Sequence, residues 1–284
     1  MADIAVAPRT RPLRREASAL LGFMERQRNI YKRFWAWELV FFLYSLISVA
    51  SIGYLAAGLP TISAGSHVDL RTTQLYLLAG ALLWSYLSLI FMEVAWAVGI
   101  ERWEGTIEYT FMAPVRRATH LLGVWSAVVI YGLVRVVLVG AVLVPLFHID
   151  LHGVNGWSVL VILLVATLPL AGIGIMVAIM PLIAPEKGEQ MCFTIEGLFL
   201  LVSGVYYPVS VLPQPLHALG LASPLTYMLD GIRDALLRGR AIGEMLPLLA
   251  MLALSGAVLI PFALWLFSRA EQRAKRLGLL KRSG

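Results

Sequence analysis

Apolar residues in this chain come in long unbroken runs, not in the two-residue alternation of a strand or the narrow stripe of a soluble helix. Six runs stand out, at about 37–58, 75–100, 119–147, 157–183, 191–207 and 245–267. A helix of about 20 apolar residues crosses a hydrocarbon core of about 30 Å. The pattern therefore predicts an all-α membrane protein with six transmembrane helices. Residues 1–36 read as a polar leader, 37–268 as the spanning domain and 269–284 as a basic tail.

The leader carries its own pattern. From Glu16 the apolar positions Leu20, Phe23, Met24, Ile30, Tyr31 and Phe34 recur near helical spacing with cations between them. A basic amphipathic helix with Tyr31, Phe34, Trp35 and Trp37 at its end fits a membrane interface, where aromatic rings collect. The leader lacks the short apolar core of a cleavable signal.

Composition sharpens the class. Of the 284 residues, 59% are hydrophobic and 14% charged, against about 45–50% and about 25% in soluble domains. The net charge of +6 does not point to nucleic acid, because its carriers flank the first and last spans. They are Arg9, Arg11, Arg14, Arg15, Arg26, Arg28, Lys32 and Arg33 before, and Arg269, Arg273, Lys275, Arg276, Lys281 and Arg282 after. Lys and Arg favour the cytoplasmic side. Both termini are expected there, in a plasma (inner) membrane, with an even number of spans between. The 148–156 loop has no Lys or Arg, 59–74 is nearly neutral, and 101–118 holds Arg102, Arg116 and Arg117. Those loops agree, as does Lys187. The segment 208–244 is the exception: it is expected outside yet carries Arg233, Arg238 and Arg240, balanced by Asp230, Asp234 and Glu244.

The connector ERWEGTIEYTFMAPVRR, residues 101–117, is too structured for a plain loop. Thr106 is placed to cap a helix, and Glu108 falls in its first turn, where the helix dipole favours an anion. Ile107 and Phe111 share a face. Pro114 ends the element and disfavours helical geometry at Ala113. A helix of about two turns is unstable alone in water and needs a docking surface. Further along, SGVYYPVSVLPQPLHALGLASPLTYMLDGIRDALLRG (203–239) has Pro208, Pro213 and Pro215 between apolar stretches too short to cross. It predicts a re-entrant element, covered by protein or a watery cavity, and then an amphipathic helix.

These two stretches, in order and at the right spans, resemble the permease subunits of the ABC-2 type exporter family. The likeness runs through the whole six-span plan and the leader. It implies a dimer of permeases, identical or sister chains, served by two cytoplasmic ATPase subunits that hold ATP and Mg. It also implies a coupling helix made of Glu104, Gly105, Thr106, Glu108, Phe111, Met112 and Pro114 that docks in the ATPase. The leader would touch the ATPase too. Short re-entrant helices would lie near an outer gate, with Tyr206, Tyr207, Pro208, Pro213, Pro224 and Tyr227. The glycine-threonine-glutamate core of the connector is closer to the drug- and small-lipid-exporting branch than to the polysaccharide exporters. That favours an amphipathic cargo over a lipid-linked glycan.

Three ionisable residues fall inside the runs: Glu93, Arg135 and Glu196. Charges at bilayer depth are costly, which makes them candidates for a transport path or for inter-helix glue. Glu93 and Glu196 fall about 8–12 Å from the inner end and Arg135 about 20–24 Å, which argues against a direct Glu93–Arg135 pair. Other classes fit less well. There is no phosphate-cradling G-x-x-x-x-G-K-[ST] loop, so a motor would be another chain and this one no enzyme. There is no H-E-x-x-H, and His148 and His152 with Asp150 are a weak metal candidate, so no metal is expected. The single Cys192 excludes an internal disulfide. No filter motif or internal repeat supports a channel or ion-coupled carrier.

Overall fold

The computed structural model describes residues 12–62, 70–184 and 186–278, and all regular structure among them is helical. The leader cations Arg9 and Arg11, the tail residues Lys281 and Arg282, and loop positions 63–69 lie outside the described residues. The helices are α1 (Pro12–Arg33), α2 (Trp35–Ile62), α3 (Leu70–Trp103), α4 (Ile107–Met112), α5 (Arg117–Leu146) and α6 (Gly156–Val177). They continue with α7 (Ile179–Ile183), α8 (Gly188–Val202), α9 (Gln214–Ala222), α10 (Pro224–Leu237) and α11 (Leu246–Arg276).

Among the described residues five segments are long and apolar enough to cross a membrane: Trp35–Leu59, Arg71–Glu101, Arg117–Leu146, Gly156–Ile183 and Ile242–Arg276. The run expected to cross at 191–207 forms the 15-residue α8, about 22 Å long at 1.5 Å per residue, and falls short of the length of those five. Its path is legible from three contacts with α3. Trp96 donates to Glu189, Ser88 donates to Glu196, and Gly80 abuts the Val205 carbonyl. As α3 numbers fall from 96 to 80, the positions they meet rise from 189 to 205, so α8 and the residues just past it run antiparallel to α3 over roughly 24 Å.

The bundle has two distinct ends. At the first, here the basal end, Arg117 opens α5 and pairs with Glu271 near the end of α11, and Arg15 of α1 reaches the Pro114 carbonyl. At the distal end, Arg71 opens α3 and pairs with Asp150 at 2.9 Å in the α5–α6 loop, and Ser158 of α6 donates to the Arg240 carbonyl. Asn155 caps α6 by accepting from the Ser158 amide at 3.1 Å.

Packing follows the rules of helices in lipid, where small residues let backbones close. The most extensive contact is between α6 and α11. A Cβ added to Gly172 would lie 2.6 Å from the Cβ of Leu259, and one added to Gly256 would lie 2.5 Å from that of Leu168. Pro169 and Pro261 sit inside these two helices, a position neighbouring spans can accommodate. The main core gathers Tyr86, Leu87, Ile90 and Phe91 of α3 with Ile162 and Leu170 of α6 and Leu225 and Leu229 of α10.

The leader helix α1 packs lengthwise on α5, with Phe23 and Leu20 against Gly123 and the Phe23 ring 4.6 Å from that of His120, and its apolar positions remain partly exposed. Phe34, Trp35 and Trp37 beyond it are exposed.

Candidate functional site

The connector at the basal end is built outward from the last turn of α3. Gly105 has φ +74°, a left-handed conformation that an L side chain rarely adopts. The Thr106 amide then donates back to the Glu101 carbonyl at 2.8 Å, closing α3 in the manner of a glycine-terminated helix. The expected Thr106 cap does not form. Its hydroxyl donates to the same Glu101 carbonyl at 3.3 Å, and α4 begins without a side-chain cap. Ala113, as the residue before a proline must, turns extended with ψ 140°.

What holds α4 is a buried keel and a ring of cations. Ile107 is 1% exposed, within a cluster of Val98, Leu121, Leu182, Phe267 and Ala274 drawn from α3, α5, α7 and α11. Arg117 donates to the Thr110 carbonyl at 2.8 Å and to both oxygens of Glu271 at 3.1 Å, while Lys275 adds a 2.7 Å pair to Glu271. Arg15 donates to the Pro114 carbonyl at 3.1 Å. Thr119, just past the connector, donates to Glu16 of α1.

Beneath α4 lies a charged group that the composition pattern hid. Glu101 is fully buried, paired with Arg26 of α1 and 3.2 Å from Nε2 of the buried His120 on α5. Arg26 also lies 3.9 Å from Glu104. Three helices, α1, α3 and α5, therefore converge on one carboxylate in the last turn of α3, next to the connector. A buried charge is tolerated only when paired in this way.

The outward face of α4 is different in kind. Tyr109 is 79% exposed and Met112 83%, with Glu108 exposed beside them. Phe111 is part of the helix, but its side chain lies outside the described residues. A tyrosine, a methionine and one carboxylate therefore stand exposed on one turn, and aromatics and Met are the residue types enriched in protein interfaces. Tyr109 was not singled out in the sequence because its spacing alone does not distinguish it from Ile107.

The charges inside the runs fall into separate groups. Glu93 accepts from Tyr31 at 3.1 Å and from Gln27 at 3.4 Å, both on α1. Burial, with Glu93 adding to it, pushes the Tyr31 hydroxyl well above its usual range, which keeps it a donor. Arg135 is turned to α2, donating to Ser45 at 3.0 Å and to the Phe41 carbonyl. Tyr131, stacked on Tyr31 with ring centroids 4.4 Å apart, donates to Glu38. Glu196 accepts from Ser88. Glu38 sits at the very start of its run, where the apolar pattern does not mark it as an intramembrane charge. Of the aromatics in the runs, Tyr86 and Phe91 are core, with Phe91 stacked on Phe199.

At the distal end the chain breaks after α8 at Gly204, with φ +71°. Arg233 of α10, only 4% exposed, closes that break. It donates to the Gly204 carbonyl at 2.9 Å and the Val205 carbonyl at 2.5 Å, with its guanidinium 3.6 Å from the centre of the Tyr76 ring. Arg238 and Arg240 both pair with Asp234, at 2.8 and 2.7 Å. The three arginines that broke the charge rule are thus held by local partners. The Tyr207 hydroxyl donates to the Leu201 carbonyl at 2.6 Å and that of Tyr227 to Leu221 at 2.8 Å. Tyr206 packs on the core. Pro208 precedes a single 3₁₀ turn, Pro213 precedes α9 and Pro224 opens α10, where a missing N–H costs nothing. In the α5–α6 loop the His152 amide donates to Asp150, and with the His152 ring and Arg71 it holds that carboxyl down near about 2. No group of three metal-binding side chains occurs among the described residues.

A model of the ABC-2 type transporter family matches residues 19–237, from within α1 to the last residue of α10. The chain belongs to the ABC-2 type transporter family. As an ABC-2 protein it is a multi-pass membrane protein and the membrane domain of an ABC transporter. No curated protein matches the chain. Within this ABC-2 domain the α3–α5 connector is held by the buried Ile107 and by Arg117 and Arg15, and it keeps an exposed face of Glu108, Tyr109 and Met112.

Proposed function

We propose that this chain is the permease subunit of an ATP-driven exporter, and that α4 is the peg through which a separate motor acts on the spans. The observation that carries this is the contrast within six residues. Ile107 is locked under α3, α5, α7 and α11, while Glu108, Tyr109 and Met112 face out. A push on that face reaches four helices at once, and Arg26, Glu101 and His120 extend it to α1. Glu104, Gly105, Thr106 and Pro114 shape and anchor the peg. Members of this family pair with an ATPase. ATP and Mg belong on two cytoplasmic ATPase subunits, and a second permease, identical or a sister chain, completes the complex; this chain is no enzyme itself.

Membrane placement follows the same logic. The basal end is cytoplasmic, with both termini, in a plasma (inner) membrane. Support for six crossings comes from parity: α1 and the end of α11 share the basal end, and five long helices leave an odd count. α8 supplies the sixth by running beside α3, its short end finished by the Arg233 clamp. The α9–α10 segment then folds back at the outer mouth, where Tyr206, Tyr207 and Tyr227 lie. The cargo is an amphipathic small molecule, drug or lipid taken from the cytoplasm or inner leaflet. Glu93 and Glu196 are placed to meet its polar part, whereas Arg135 joins α5 to α2.

The test is reconstitution. The chain is purified with its companion ATPase and placed in liposomes. Hydrolysis stimulated by candidate amphiphiles, with ATP-dependent movement of one of them, is the expected result. Cargo movement by this chain without an ATPase refutes the proposal.

A further inference from the structure

A groove of about 550 Å³ opens between the end of α6, α7, α8 and the basal part of α11. Its walls are apolar, among them Ile173, Met180, Ile195 and Phe199. Its basal rim is Arg269 and Arg273, four residues apart on one face of α11. The volume is in the range of small-molecule sites, about 300–1,000 Å³. None of the residues at the peg or in the Glu93 group lines it.

The two arginines are unlike their neighbours. Arg117 and Lys275 share Glu271, and Arg26 shares Glu101. Arg269 rests on the Trp265 ring at 5.0 Å, and among the described residues neither Arg269 nor Arg273 has a carboxylate partner. Trp265 is half-exposed one turn above, a residue type that settles at the membrane–water boundary. Along the helices, Phe199 lies level with Phe91, inside the apolar zone, and Arg273 lies past the Glu271 pair at the basal end. The groove therefore joins an apolar floor at acyl depth to a pair of guanidiniums at headgroup depth that have no carboxylate partner among the described residues.

We propose that this groove holds an anionic phospholipid of the inner leaflet, acyl chains against Ile195 and Phe199 and phosphate in the fork of Arg269 and Arg273. Guanidinium matches a phosphate with paired N–H donors. Basic pockets between spans on the cytoplasmic side bind anionic headgroups. The lipid is a resident, not cargo. It ties α11 to α7 and α8, the helices that flank the Ile107 keel and the sixth crossing. The proposal rests on the cytoplasmic placement of the basal end, but its test does not use transport or the ATPase.

The purified chain in detergent is titrated with phosphatidylglycerol or phosphatidylcholine and weighed intact by native mass spectrometry. The wild type is expected to retain phosphatidylglycerol preferentially. Arg269→Ala/Arg273→Ala should weaken that binding roughly 30-fold, taking about 1 kcal/mol for each of the two basic contacts. Arg269→Lys/Arg273→Lys should keep much of it. Arg276→Ala, a cation of the same helix outside the groove, should leave it unchanged. Phe199→Trp should reduce retention by filling the floor. Equal retention of both lipids, or an equal loss from Arg276→Ala, overturns the proposal. So does inter-chain cross-linking of Ile195→Cys with no retained lipid, which would put a second copy of the chain over the groove. Failure here with ATP-driven transport intact removes the lipid site and leaves the permease reading standing.

Discussion

Replacing Tyr109 and Met112 together with Ala should abolish productive contact with the ATPase while leaving the thermal midpoint of the purified permease unchanged. Both side chains are largely exposed, and the bonds that hold α4 come from other residues. Truncating one interface anchor of this type costs about 2–4 kcal/mol of binding, roughly 30- to 1,000-fold. ATPase co-purification and cargo-stimulated hydrolysis should both collapse. Ile107→Asp is the informative contrast. It buries a carboxylate among Val98, Leu121 and Phe267 and should lower stability first, with coupling lost as a consequence. Glu108→Lys is a third probe, because its side chain is exposed. Glu104 is a poorer one, since it lies near Arg26 and a lysine there would also disturb the α1–α3 contact. Double-alanine permease that still hydrolyses and transports normally would remove α4 from the pathway of force.

The second large effect is expected at Arg233→Met. The wild-type guanidinium donates to two carbonyls that end α8 and covers the Tyr76 ring. Without it the Gly204 and Val205 carbonyls are left unpaired in an apolar interior. The penalty is about 2–5 kcal/mol, from lost charged hydrogen bonds and stranded acceptors. Arg233→Lys should recover only part, since one ammonium does not reproduce the fork. Thermal unfolding in detergent should rank wild type above Lys and Lys above Met. Indistinguishable midpoints would mean that the break after α8 needs no clamp.

Much of this was legible in the sequence for physical reasons that are easy to state. Runs such as 119–147 and 157–183 have no other stable home than a helix in lipid, and Pro114 could only stop the connector where it does. Gly105 and the Ala113–Pro114 pair fix local backbone. What the pattern could not give was anything set by which helices meet. Glu101, His120 and Arg26 look like loop and leader charges until α1 is laid along α5. The amphipathic face of α1 predicted a surface to lie on without saying whether lipid or α5 provides it. Thr106 satisfied the rule for a cap, yet its hydroxyl was drawn to the Glu101 carbonyl by the glycine turn before it. Arg233 was read as a topology signal, because side-chain burial by a distant break cannot be seen in local composition. The 191–207 run was long enough in apolar residues, but Gly204 broke its helix early.

The most direct measurement is the accessibility of residue 112 in a Met112→Cys variant whose own buried cysteine is replaced by Ser. Membrane-impermeant maleimide should label it in inverted vesicles and not in intact cells. Adding the ATPase should protect it, and a short bifunctional reagent should join the two chains there. Labelling from the cell exterior, or full labelling with the ATPase bound, would contradict the account.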